Sequence, residues 1–314
     1  MKIAVLFPGQ GSQYLGMGRE FIDSSAECRA IMETGERVSG VPLGELCSNG
    51  PMEELTRAEH LQPAITTINL MCWHMLKNEL TGRAAVDIVA GHSLGEYSAL
   101  CAAGVISVED TIKLTAKRGA LMGREGRIRP GGMRAVLGLT IEQVEAHLES
   151  CKVTESVTAA NYNTPEQIVV SGDIAALDLV CQAMEVAGGK VIPLNVSVAN
   201  HSPLVAGAVP DFAEFMEEVS FSKPNIPVYF NLTAAEENDV AVIKTLMANQ
   251  IVSRVRWYES IMRMLNNEVD TFIEVGPKAV LKGLLRKIVP KDKKILSLQF
   301  DTPEGLEQCV ENLF

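Results

Sequence analysis

Apolar residues gather in short runs that stop at glycine-rich turns. Ile3-Ala4-Val5-Leu6-Phe7 ends at Pro8-Gly9-Gln10-Gly11-Ser12, and residues 86–90 end at Gly91-His92-Ser93-Leu94-Gly95. Each turn opens a segment of helical character, the grammar of an α/β fold with a parallel sheet. Residues 227–231 and 271–275 read as further strands, and 240–252, 257–265 and 279–288 as helices that return the chain to the same sheet. Between 133 and 196 the rhythm changes. Strand 133–139, helix 141–150, strands 157–161 and 167–171, helix 174–187 and strand 190–194 follow one another as βαββαβ, the ferredoxin-like order. Gly131-Gly132 and the uncharged loop from Asn195 mark the two crossings, which divides the chain into a large unit, 1–130 and 198–314, and an inserted small unit, 131–197.

Composition narrows the classes of function. With 314 residues, 47% of them hydrophobic and 21% charged, the chain has enough apolar surface for a substantial core. The first apolar run is too short for a signal peptide and reads as a strand. Residues 191–210 are the longest stretch without an acidic or basic residue other than His, but Pro193, Asn195, Asn200, Pro203 and Pro210 rule out a spanning helix. Seven scattered cysteines, odd in number, suggest neither a disulfide framework nor a zinc site and fit a reducing cytoplasm. A formal charge of −11 opposes general affinity for nucleic acid. Residues 278–294 depart from that balance, with Lys278, Lys282, Arg286, Lys287, Lys291, Lys293 and Lys294 against Asp292. They read either as a solvated helix face or as a docking surface for an acidic partner.

The chemistry starts from Gly91–Gly95, written by its residues as G-x-S-x-G. Placed between an apolar strand and a helix, this spacing forms a tight turn that lifts the Ser93 hydroxyl clear of the backbone. The N–H of Leu94 then faces the developing oxyanion, assisted by the dipole of the helix that follows. A serine hydroxyl needs a base. Of the five histidines, His60 and His74 lie in helical patterns, His147 sits on a polar helix flank, and His92 adjoins the serine, where neighbouring side chains diverge. His201 remains, in a small-residue loop after the last strand of the insert, and spacing alone leaves it open between a base and an ordinary loop histidine. Arg118, following Lys113 and Lys117, reads locally as part of a solvated helix face.

Taken together, the motifs resemble the malonyl-CoA:acyl carrier protein transacylase family over nearly the whole chain. Pro8-Gly9-Gln10-Gly11-Ser12-Gln13 resembles its N-terminal signature, Gly91 to Gly95 with Glu96-Tyr97 its nucleophile turn, and Arg118-Gly119 its acid-binding arginine. Asn161-Tyr162-Asn163 with 167–172 is similar to its insert, Ser197 to His201 to its base loop, Gln250 with Val255 and Trp257 to its late glutamine segment, and Glu274-Val275-Gly276-Pro277 to its last strand. The resemblance implies an α/β-hydrolase-like catalytic domain carrying the inserted ferredoxin-like domain. It also implies an acylated Ser93, His201 as general base and acid, the Gln250 main-chain carbonyl orienting the imidazole, and oxyanion donors from the N–H groups of Gln10 and Leu94. Arg118 would clamp the free carboxylate of malonyl, which a planar guanidinium can hold through two charge-assisted bonds. The implied partners are malonyl-CoA and an acyl carrier protein, with no metal or redox cofactor.

The chain departs from the family pattern at Val205, where Met is often found, at Ser253-Arg254 in place of Asn-Pro, at Arg134 in place of a small residue, and in the arginine-rich 124–129. These departures leave Ser93, His201 and Arg118 in place. Fatty-acid synthesis is the expected setting, with a polyketide or malonate-decarboxylase transferase as the alternative. A hydrolase with the same serine, and a non-catalytic carrier-protein binder, are the rivals from other classes.

Overall fold

The computed structural model describes residues 1–196 and 198–314. Ser197, the first residue of the expected base loop, lies outside the described residues. Among the described residues there are ten strands: β1 Ile3–Phe7, β2 Ile88–Gly91, β3 Gly132–Leu137, β4 Val157–Thr164, β5 Gln167–Gly172, β6 Lys190–Pro193, β7 Val228–Phe230, β8 Ala235–Glu236, β9 Thr271–Val275 and β10 Leu296–Phe300. They form a six-stranded sheet ordered β10-β9-β1-β2-β7-β8 and a four-stranded sheet ordered β4-β5-β3-β6.

In the large sheet only β8 runs antiparallel. Its central strand β1 is buried along its whole length, and the strand period of two splits its side chains between two cores. Ile3, Val5 and Phe7 join the cluster built on the helices Ala58–Leu80 and Gly95–Ala102, while Ala4 and Leu6 pack with Trp257, Ile261 and Leu285 on the other face. A strand covered on both sides has no polar face to show, which is why it reads as an uninterrupted apolar run. β1 pairs with β2 as far as Phe7 opposite Gly91, so the two glycine-rich turns emerge side by side at the carboxyl edge of the sheet. Ligands of open α/β sheets bind at that edge.

The small sheet has the strand order of a ferredoxin-like fold. The helices Ile141–Ser150 and Ile174–Val186 cover one face, with Val136, Ile168 and Val170 beneath them. Met133, Ala135, Ala160 and Val169 form the opposite face. Arg134 alternates with these and pairs with Asp178 on the helix-covered side, so its departure from the family pattern is directed away from that face. The two sheets are tied by the segment after Gln250. Val255 donates to Ala160 O (2.8 Å) and accepts from Tyr162 N–H (2.9 Å). Arg254 donates to Ala159 O (2.8 Å), pairs with Glu145 and lies 4.2 Å over the Tyr162 ring. The arginine-rich stretch anchors a helix end: Arg124 bonds Glu125, Asp211 and the carbonyl of Gly207. Val205 is buried.

Several boundaries differ from the sequence-based expectation. β2 begins at Ile88 because Asp87 turns its carboxylate to the Ile3 N–H (2.8 Å). β4 runs on to Thr164 through two register shifts, after Ala159 and after Tyr162. β8 and β10 were not expected, nor were the helices Arg19–Ser24, Ala26–Ser39, Leu43–Asn49 and Met52–Leu55 that fill the stretch after the first turn. Among the described residues no helix is long and apolar enough to cross a membrane.

Candidate active site

The turn after β2 is shaped by two glycines that have no room for a side chain. A Cβ on Gly91 would overlap the carbonyl of Gly95, and one on Gly95 would overlap the carbonyl of Phe7 at the end of β1. Ser93 takes the left-handed conformation, φ +50°, which a non-glycine residue holds only when its surroundings impose it. The imposing group is Asn231, after β7. Its Oδ1 accepts the Ser93 N–H (2.6 Å) and its Nδ2 donates to Gly91 O (2.7 Å), clamping the turn from both sides. Leu94 follows at the start of helix Gly95–Ala102. Among the described residues, neither its N–H nor that of Gln10 donates to a protein group, so both remain available to a ligand oxygen.

His201 is the histidine that reaches the serine, with Nε2 2.7 Å from Ser93 Oγ. It is 3% exposed and also has a positive φ, +59°. Its Nδ1 lies 2.9 Å from the main-chain carbonyls of both Gln250 and Ser253. Facing two acceptors, Nδ1 carries the proton, and Nε2 presents its lone pair to the serine hydroxyl. Burial, then the nearby Arg118 cation, push the imidazole down to about 3, so it is neutral at physiological pH. The other four histidines are occupied elsewhere or remote. His92 accompanies Asn163 (2.8 Å) and meets Trp257 edge-on, His60 approaches Glu54 O, His74 approaches Asn78, and His147 ends the helix Ile141–Ser150.

The structure overturns the local reading of Arg118. Rather than lying on a solvated face, it points inward from helix Val108–Ile128 and is 2% exposed. Its Nη1 donates to Gln62 Oε1 (2.8 Å), and its Nη2 to Gln250 Oε1 (3.0 Å) and Ser93 Oγ (3.2 Å). Nε is buried with no partner among the described residues. Ser93 Oγ therefore accepts from the guanidinium and donates to the imidazole.

Gln250 contributes more than its carbonyl. Its side-chain Nε2 donates to Ser93 O (2.9 Å) and to Glu96, so one residue touches serine, arginine and histidine. Gln62 and Asn231 escaped the sequence reading, and Glu96 and Ser253 were quoted there as motif positions without a role in the site. What places the four here is their distance to Ser93, Arg118, His201 and Gln250 across the fold. The serine opens into a cavity of about 260 Å³ lined by Gln10, His92, Met133, Asn161, Val196 and His201 among others. The small unit thus supplies one wall, and Ser93, His201 and Arg118 come from the large unit. No group of three or more His, Cys, Asp or Glu among the described residues is placed to hold a metal.

Comparison with known proteins gives one consistent picture. The model of the acyl transferase domain family matches residues 5–299. A malonyl CoA-acyl carrier protein transacylase of Bacillus subtilis (strain 168) is 35% identical over 316 residues, covering 99% of this chain and 97% of that protein. One from Haemophilus influenzae is 36% identical, with 92% of each chain covered. Among solved structures, the malonyl CoA-acyl carrier protein transacylase from Coxiella burnetii superposes with a TM-score of 0.94 at 30% identity, covering 100% of this chain and 98% of that one. A malonyl-transacylase in complex with its type II polyketide acyl-carrier protein gives 0.93 at 32%, covering 99% and 100%.

Proposed function

The chain belongs to the malonyl-CoA:acyl carrier protein transacylase family, and we propose from that premise that Ser93 is its nucleophile, carrying malonyl from malonyl-CoA to the phosphopantetheine thiol of an acyl carrier protein. The observation that supports this assignment is the sharing of one hydroxyl: Ser93 Oγ lies 2.7 Å from His201 Nε2 and 3.2 Å from Arg118 Nη2.

The chemistry follows from those positions. Ser93 Oγ attacks the thioester carbonyl while His201 Nε2 takes its proton. The N–H groups of Gln10 and Leu94 receive the oxyanion; removing one such donor typically lowers the rate by ~10²–10³. The intermediate collapses with cleavage of the C–S bond, and the coenzyme A sulfur leaves with the proton from His201. The pantetheine thiol then gives its proton to His201, attacks the malonyl ester and returns Ser93 to its hydroxyl form. Arg118 holds the malonyl carboxylate throughout. That carboxylate offsets the cation that depresses His201, so substrate binding raises the proton affinity of the base when it is needed. No step calls for a metal or redox cofactor.

We place the enzyme in fatty-acid synthesis in the cytoplasm. Relatives named for malonyl and acyl carrier protein, and seven unpaired cysteines, support that setting. A polyketide carrier is the second reading, favoured by the neighbouring complex with such a carrier. Both readings share the test of mechanism, which is the intact mass of the protein after brief exposure to malonyl-CoA, beside Ser93→Ala. A malonyl-sized increment on the native chain alone, discharged by a carrier, is the expected result. No increment, or free malonate as the product while carrier is present, would overturn the transferase.

A further inference from the structure

One buried carboxyl shares the site without touching the serine hydroxyl. Glu96, on the first turn of helix Gly95–Ala102, is 1% exposed. One of its oxygens accepts the Asn231 N–H (2.5 Å) and the other accepts Gln250 Nε2. The same Gln250 amide accepts from Arg118 Nη2 on its opposite side. Among the described residues the direct hydrogen-bond partners of Arg118, namely Gln62, Ser93 and Gln250, are all neutral. The ionisable groups acting on it are Tyr97, whose ring lies 5.7 Å away, and the Glu96 carboxyl, one amide away.

We propose that Glu96 is the resident counter-charge of the acyl site: ionised, it competes with the malonyl carboxylate for Arg118, and protonated, it yields Arg118 to the substrate. This rests on the malonyl reading given above. The charge count argues for it. When Glu96 is ionised it balances Arg118 in the empty pocket, and a malonyl carboxylate then adds a second anion beside two buried side chains. Two carboxylates facing one cation cannot both stay ionised without penalty, and the one with a choice of proton is Glu96.

Burial raises the Glu96 carboxyl to about 8, against the opposing pull of its two N–H donors and Arg118, so both states are accessible near neutral pH. The groups facing it are Arg118 from helix Val108–Ile128, Gln250 from helix Val240–Gln250, Asn231 after β7 and its neighbour Tyr97. Tyr97 is kept neutral by burial, and His92 and His201 are likewise held neutral by burial.

The sign is fixed. Below about pH 8 Glu96 carries a proton and Arg118 is free for malonyl; above it Glu96 ionises and malonyl binding weakens. The KM for malonyl-CoA should therefore rise about 5-fold or more between roughly pH 7 and pH 9.5, while that for acetyl-CoA, which brings no carboxylate, stays level. In Glu96→Gln the malonyl KM should stay low and level across that range. A purely structural Glu96 would alter both substrates together and leave the pH limb in place, and that outcome overturns the proposal.

Should Glu96→Gln fail to fold, binding to Ser93→Ala supplies the second measurement. Calorimetry near pH 8 in two buffers of different ionisation enthalpy should show proton uptake with malonyl-CoA and none with acetyl-CoA. Zero uptake with malonyl-CoA refutes the counter-charge. Failure of the malonyl reading itself looks different, since the native enzyme would then form no malonyl adduct at any pH.

Discussion

Arg118 shows how far a residue's meaning depends on what lies across from it. It follows Lys113 and Lys117 on its helix, yet its side chain is enclosed by Gln62, Gln250 and Ser93. Charge-assisted hydrogen bonds are worth about 1.5–3 kcal/mol each, so two to a malonyl carboxylate correspond to roughly 10²-fold or more in transfer. Arg118→Ala should lose malonyl transfer by at least about that factor while acetyl transfer survives or improves; equal losses for both would make the arginine structural. His201 carries a second expectation at this scale. Its conjugate acid lies near 3, so the acylation rate should be level from about pH 5 to 7, measured as single-turnover malonyl loading. The sign for stability runs the same way. The unfolded histidine binds its proton below about 6.5 while the folded one does not until about 3, so this residue's contribution is complete above 6.5 and falls as the pH drops towards 3. Ser93 was legible from its glycines and its place between strand and helix, whereas spacing left His201 open, the family resemblance alone linked it to the serine, and the fold sets the two 2.7 Å apart.

At the scale of elements, the turn that bears Ser93 is held by parts far apart in sequence. β1 supplies the carbonyl that leaves Gly95 no side chain, β2 supplies the approach, and the residue after β7 supplies the clamp. Asn231→Ala would leave the Ser93 N–H and the Gly91 carbonyl without their partner. Each buried group left unpaired costs about 1–3 kcal/mol. The variant should melt at a lower temperature and acylate at least about tenfold more slowly with little change in malonyl-CoA KM, because the binding groups are untouched while the strained φ of Ser93 loses its restraint. A variant with native acylation rate would remove Asn231 from the account. The elements themselves were legible where one pattern dominated. β1 and β9 were expected with their observed ends because both are buried throughout. β10, half-exposed at the sheet edge, and the two-residue β8 carry no such run, and pairing with β9 and β7 is what makes them strands.

At the scale of the whole molecule, charge and connectivity decide how the site meets its partners. The chain is acidic, yet Lys278, Arg286, Lys287, Lys291, Lys293 and Lys294 are exposed, and no acidic side chain pairs with them among the described residues. Glu274 fixes the helix that bears part of this patch, its carboxylate accepting the N–H groups of Leu281 and Lys282 (2.9 and 2.8 Å). Reversing Lys282, Arg286 and Lys287 to Glu should raise the KM for the carrier and abolish its salt dependence while malonyl loading from coenzyme A is unaffected; an unchanged carrier KM would place docking elsewhere. By itself the sequence determined the α/β grammar, the βαββαβ insert and the serine turn, because each rests on local spacing that repeats within a few residues. Only the tertiary structure decided that Arg118 is buried, that Gln250 joins serine, arginine and histidine, and that Glu96 and Asn231 belong to the site. Those facts depend on elements up to about 150 residues apart meeting at one sheet edge, and a burial that raises one carboxyl while lowering one imidazole is a property of that closed space, not of any stretch of chain.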